Sequence, residues 1–296
     1  MVLISAFPKC WLEDISEGRM DLFEWIEISK NLDCDGLEIY YRFLKCLKSD
    51  YLKRVRRKVE ELNMTIPMIC YSSDFTNPER GIRKKEIKKQ IDFIKITSEL
   101  GGSYCRILSG QGRPGVSDEL ATKWVIDCIE SCLGAAEDND ICLVLENHYK
   151  DSYWKFKEFA QKKDIFLGIV NRIDSQYFGV QYDPSNAIVA GEDPIDLLDE
   201  VLDRVKTMHA SDRYLRPGFS LDDIIKADGD PGYSKGLVHG VVGEGLNDYD
   251  AIFSRLSGVK FNGWISIEDG MNGFHEMEKS VKFLKKMRDK YFAGNV

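Results

Sequence analysis

Short runs rich in β-branched and aliphatic residues alternate with longer amphipathic stretches from one end of the chain to the other. Eight runs have strand length, at 2 to 6, 36 to 40, 66 to 70, 103 to 108, 141 to 146, 178 to 183, 205 to 209 and 263 to 268. Helical periodicity falls between and after them, near 20 to 31, 50 to 62, 83 to 100, 118 to 138, 152 to 171, 194 to 203, 247 to 256 and 275 to 291. Ile87, Ile91 and Ile94 show the spacing of one buried helix face among basic neighbours. Gly101-Gly102 marks a helix end, and Asp193-Pro194 supplies a cap followed by a first-turn proline. This alternation is the sign of parallel strands with crossover helices, and eight of each predicts the α/β class and a single (β/α)8 barrel.

No break in composition divides residues 1 to 296, so one barrel domain is expected throughout. The spacing departs from regularity at 213 to 240, where five glycines and two prolines predict a long loop insertion, a lid or a contact surface. The apolar content of 43% is ample for a large core. A net charge of −8 argues against nucleic acid or an anionic membrane as partner, since both require a basic face. The chain shows neither a signal peptide nor a run of ~20 apolar residues. Its eight cysteines are scattered without a CxxC pair, so a reducing, cytoplasmic setting is expected.

In a barrel of this kind chemistry sits at the carboxyl ends of the strands. The last four end in Cys-Leu-Val-Leu-Glu146, Gly-Val-Gln-Tyr-Asp183, Lys-Thr-Met-His209 and Trp-Ile-Ser-Ile-Glu268. One such glutamate would be an ordinary solvated strand end. Four successive endings of Glu, Asp, His and Glu are a ligand set, because converging carboxylates repel unless a cation lies between them. Three oxygen donors and one imidazole favour Mn2+, with Mg2+, Co2+ and Zn2+ as alternatives.

These strand ends resemble those of the xylose isomerase-like TIM-barrel sugar isomerase/epimerase superfamily, over nearly the whole chain. The resemblance implies one divalent metal on Glu146, Asp183, His209 and Glu268, with Glu146 and Glu268 doubling as the facing acid and base. Gly243-Glu244-Gly245 and the helix beginning near Asp248 match the same habit. Within the superfamily, Glu146-Asn-His148-Tyr-Lys-Asp151, Tyr182-Asp183-Pro-Ser-Asn186 and Met208-His209-Ala-Ser-Asp-Arg213 look similar to catalytic subunits of bacterial C-glycoside deglycosidases. That similarity implies cleavage of an oxidised (3-oxo) glycoside by proton abstraction and β-elimination, with His148 as a further catalytic base. It also implies a small β-sandwich partner subunit in an oligomeric assembly, with the 213 to 240 loop as a contact. Ketose epimerases typically carry Asn-Arg after the first glutamate, where this chain has Asn-His148. Metal-dependent isomerisation or epimerisation through an enediolate is the alternative; a sugar-binding barrel and an endonuclease are weaker ones.

Regular strand geometry puts Glu146 and His148 on one face, with Asn147 pointing away. Arg213, Asp212, Arg106 and His239 are candidates for substrate contact. For each a plainer reading exists: an Asp212–Arg213 surface pair, pairing of Arg106 and Glu38 inside the barrel, and exposure of His239 in its loop. Gly110-Gln-Gly112-Arg-Pro-Gly115 spells GxGxxG, but Pro114 stands where a helix would run, so a rim loop is expected rather than a dinucleotide site. Tyr71-Ser72-Ser73-Asp74 lacks the surroundings of a nucleophile elbow.

Overall fold

The computed structural model describes residues 1–226 and 236–293. Its main sheet contains β1 (Leu3–Ala6), β2 in two pieces (Gly36–Leu37 and Ile39–Tyr40), β3 (Met68–Cys70), β4 (Tyr104–Ile107), β5 (Cys142–Glu146), β6 (Phe178–Tyr182), β7 (Val205–Ala210) and β8 (Trp264–Ile267). Every run with strand character in the sequence is a strand here. All pairings are parallel, from β3 through β4, β5, β6, β7 and β8 to β1. The two pieces of β2 close the circle, Gly36–Leu37 pairing with β1 and Ile39–Tyr40 with β3. The protein is thus a single TIM barrel, and Glu38 sits at the break between the two pieces of β2.

Helices cover the outside, the longest being Arg80–Glu99, Asp118–Asp138 and Phe274–Phe292. Their ends follow local chemistry. Asp193 accepts hydrogen bonds from the backbone N–H groups of Ile195 and Asp196, with Pro194 in the first turn, and Ser117 accepts from Leu120. All eight cysteines are free thiols. Among the described residues no helix is long and apolar enough to cross a membrane.

Period-two alternation makes the barrel interior layered. Asp183, His209 and Glu268 stand two residues beyond Gln181, Thr207 and Ser266, all of them buried, so the layer beneath the strand ends is polar as well. A barrel that were only a scaffold would fill that layer with Val, Ile and Leu.

Two regions differ from the sequence expectation. The helix expected over 152 to 171 starts only at Lys163–Val170. Residues 152 to 158 instead run as a loop against the rim, where Gln111 and Glu158 form an antiparallel bridge. The aromatic and lysine spacing of Tyr153 to Lys157 imitates a helix face, but the backbone groups there pair with the rim: Gly112 N–H donates to the Lys157 carbonyl, and Phe159 N–H to that of Gly110. The described residues of the 213 to 240 insertion form an antiparallel ribbon of Arg213–Leu215 with Leu237–His239 and a short helix Leu221–Lys226. Residues 227–235 of it lie outside the described residues.

Candidate metal centre and active site

Each of the four strand-end side chains is held by its element. Asp183 ends β6 and caps the helix Pro184–Val189: its Oδ1 accepts from Asn186 N–H at 3.0 Å and from the Ser211 hydroxyl at 2.7 Å. Its Oδ2 is buried and has no hydrogen-bond partner. His209 Nδ1 lies 3.1 Å from Glu146 Oε1 and 3.5 Å from Glu268 Oε2, while Nε2 lies 2.8 Å from Glu38 Oε2. Ligand atoms of Glu146, Asp183, His209 and Glu268 all fall within 4.8 Å of one another.

The electrostatics of this cluster are those of a site built around positive charge. Burial and the charges of Glu268 and Glu146 push the Asp183 carboxyl up to about 6. Burial alone would raise Glu146 too, but His209, Arg106 and His148 hold it down at about 2. Glu268 is likewise held low against its burial, chiefly by Lys9 and His209. His209 is raised well above the ordinary imidazole range by Glu38, Glu146 and Glu268, despite complete burial.

The residues fit a divalent cation. An orphaned, fully buried carboxylate oxygen is costly unless something binds it, and Asp183 carries one in a cluster whose ligand atoms lie within 4.8 Å of one another. If Nε2–H donates to Glu38, Nδ1 keeps its lone pair for a metal, the arrangement by which a carboxylate commonly orients a ligand imidazole.

A cavity of about 270 Å³ opens beside the cluster, lined among others by Lys9, Tyr40, Arg106, His148, Asp151 and Glu268. Arg106 Nη1 donates to Glu146 Oε2 at 2.8 Å and Nη2 to the Ser72 hydroxyl at 3.2 Å. Ser72 and Tyr40 in turn donate to Asp151 Oδ2, at 2.6 and 2.9 Å. The serine that superficially suggested a nucleophile is a link in this chain. Lys9 Nζ, 2.9 Å from Glu268 Oε1, is a residue that sequence reasoning missed. Its only signal was its place just beyond the end of the first strand.

A match to a family model described as Xylose isomerase-like TIM barrel spans residues 26–287. The chain belongs to that family. Within it, the chain is similar to inosose dehydratase of Bacillus thuringiensis (strain Al Hakam), 22% identical over 227 residues that cover 72% of each protein. In structure it resembles the IOLI protein with a binding zinc atom, at a TM-score of 0.75 and 16% identity over 98% of this chain and 99% of that one. It also resembles 3-keto-D-glucoside 4-epimerase, YcjR, from E. coli, at a TM-score of 0.70 and 16% identity over 97% and 99%.

The other positions singled out in this family member's sequence have distinct fates. His148 lines the cavity, with Nδ1 3.4 Å from Glu158 Oε2. Burial works against its protonation, but Glu146 and Glu158 raise it on balance. Asn147 does not merely point away: its side chain clamps the end of β6, accepting from Asp183 N–H at 2.8 Å and donating to the Asp183 carbonyl at 2.6 Å.

Asp212, expected at substrate or in a surface pair, does neither. It is fully buried and accepts backbone N–H bonds from Arg213, Gly243, Gly245 and Asn247. A side chain at Gly245 would collide with that carboxylate, which explains the glycine. Arg213 is buried as well, with 2% exposure. His239 is not an exposed loop residue; it ends the ribbon and meets Asp269 at 2.5 Å, and burial together with Arg213 and Lys9 pushes it down to about 2. The GxGxxG segment is the expected rim loop, held by Asp74 through Gln111 and Arg113.

Proposed function

We propose that this chain is the catalytic subunit of an enzyme that cleaves 3-oxo-glycosides by proton abstraction and β-elimination, with one divalent cation, Mn2+ favoured, on Glu146, Asp183, His209 and Glu268. The observation that carries this reading is the cavity-lining imidazole of His148 beside the converging ligand set. A base in addition to the carboxylates is what cleavage of a C-linked phenol requires, and simple epimerisation does not.

The cation, when bound, supplies Lewis acidity toward the 3-oxo group and so stabilises enolate charge. Glu268, which lines the cavity, takes the proton from the carbon between the oxo group and the glycosidic carbon. The electron pair left behind forms the carbon–carbon double bond as the bond to the aglycone breaks, and the aglycone takes up a proton. With a C-linked phenol, His148 removes the phenolic proton, so that ring electron density lets the departing carbon accept a proton. Arg106 holds Glu146 in place at one wall of the cavity. Arg213 and His239 are candidates for sugar contact.

The relatives support an elimination, since a dehydratase expels water by the same pair of bond changes. The likeness to a protein named for a 3-keto-glucoside supports the oxidised sugar and also favours a second reading, enediolate-based epimerisation or isomerisation. A small β-sandwich subunit docking on the ribbon of 213–215 and 237–239 belongs to the preferred reading.

The test is Mn2+-loaded protein assayed on 3-oxo-glucosides carrying C- and O-linked phenols, beside free ketoses, with and without candidate small subunits. Release of the phenol and an unsaturated ketose is expected, and His148→Ala lowers C-glycoside cleavage by about 100-fold or more, the usual worth of a general base. Rapid ketose epimerisation with untouched glycosides overturns the proposal, and normal cleavage by His148→Ala removes His148 as the base.

A further inference from the structure

We propose that Glu158 is a positioning residue for His148, accepting its Nδ1–H so that the Nε2 lone pair faces the cavity; this rests on the reading of His148 as a base. Glu158 is a buried carboxylate in a surface segment, 3% exposed, and nothing in the metal cluster accounts for it. Its two oxygens are sharply different. Oε1 accepts from both the backbone N–H and the hydroxyl of Ser109, each at 2.6 Å. The Ser109 hydroxyl is itself fixed, since it accepts from Ala160 N–H at 3.0 Å. Oε2 is buried and, like His148 Nδ1, makes no hydrogen bond; the two stand 3.4 Å apart, within ion-pair distance.

The backbone holds this carboxylate from both sides. Glu158 N–H donates to the carbonyl of Tyr149, the residue after His148, and the Gln111 bridge ties the segment to the rim loop. Gly110, with φ of +115°, lets that loop lie against residues 74–76, where a side chain would strike Asp74, Phe75 and Thr76. The GxGxxG loop therefore acts as a brace for the carboxylate behind His148. A carboxylate behind an imidazole sets which nitrogen carries the proton and which way the ring faces.

Glu158→Gln tests this sharply. The two Ser109 donors keep the amide oxygen at the Oε1 position, which turns the NH2 group toward His148 Nδ1. That nitrogen must then accept, and the proton moves to Nε2. In Mg2+-loaded wild type, nitrogen NMR of the neutral ring is expected to show a protonated Nδ1 and a bare Nε2, and Glu158→Gln the reverse. With a cleaved glycoside, Glu158→Gln lowers kcat by about 100-fold while KM moves little, because the base is lost and binding is not. A protonated Nε2 in the wild type overturns the proposal, as does a Glu158→Gln ring that keeps its proton on Nδ1. The tautomer needs no substrate, so an inactive enzyme with the stated tautomer would refute the proposed reaction and leave the role of Glu158 standing.

Discussion

A single oxygen atom, Asp183 Oδ2, tells most about the site. Its sister oxygen is satisfied twice, so the carboxyl is firmly held and the orphan is free to meet a cation, as the proposed function requires. Asp74 shows the opposite case, a carboxylate whose partners are all present. Burial would raise it, but Arg113 and Gln111 hold it below its ordinary value of 3.8. The stability it contributes is therefore complete above that value and is lost as pH falls through the lower folded-state value. Asp74→Asn is expected to cost about 2 kcal/mol near neutrality, the scale of charge-assisted hydrogen bonds. Denaturant unfolding at a series of pH values checks this: the gap between wild type and variant narrows in acid, and a gap independent of pH contradicts it.

At the scale of elements, the ribbon strand that follows His209 is tied to the turn before the last helix–strand unit mainly by the Asp212 carboxylate, beside a backbone bond from Leu246 N–H to the Arg213 carbonyl. That carboxylate collects four backbone N–H groups from 213, 243, 245 and 247. Asp212→Ala strands these donors, and a loss of about 3 kcal/mol is expected, since one unsatisfied buried group already costs about 1–3 kcal/mol. Hydrogen exchange is expected to quicken at residues 243 to 247 first, with the Arg80–Glu99 helix unaffected. Uniform quickening would mean that the turn is no separate unit. The loop of residues 152 to 158 is the other instructive element, because its sequence periodicity is helical while its hydrogen bonds go to the rim.

At the scale of the whole molecule, the barrel gathers three carboxylates and an imidazole at its mouth with almost no solvent. A ligand that binds only the folded state stabilises it by about 2.7 kcal/mol at a hundredfold excess over Kd. For a chain of this size that amounts to a Tm rise of roughly 4 °C. Chelator-stripped protein titrated with Mn2+ in a thermal melt is expected to show the rise, and Asp183→Ala to show almost none. Equal shifts in both would place the cation elsewhere.

The alternation of apolar runs and amphipathic stretches determined the barrel, because parallel strands buried on both faces leave little freedom in pattern. The buried cluster was legible for the same reason: strand ends in a barrel have one destination, so Glu146, Asp183, His209 and Glu268 had to converge. What only the tertiary structure decided lies in contacts between segments far apart in the chain. Lys9 reaches Glu268, Glu38 reaches His209, and Glu158 reaches His148 across 259, 171 and 10 positions. Even the shortest of these spans was hidden, because it runs through a loop whose periodicity imitates a helix. No local pattern distinguishes Asp212, buried to hold a turn, from an acid at a substrate, since that difference lies in which backbone groups fold back upon it.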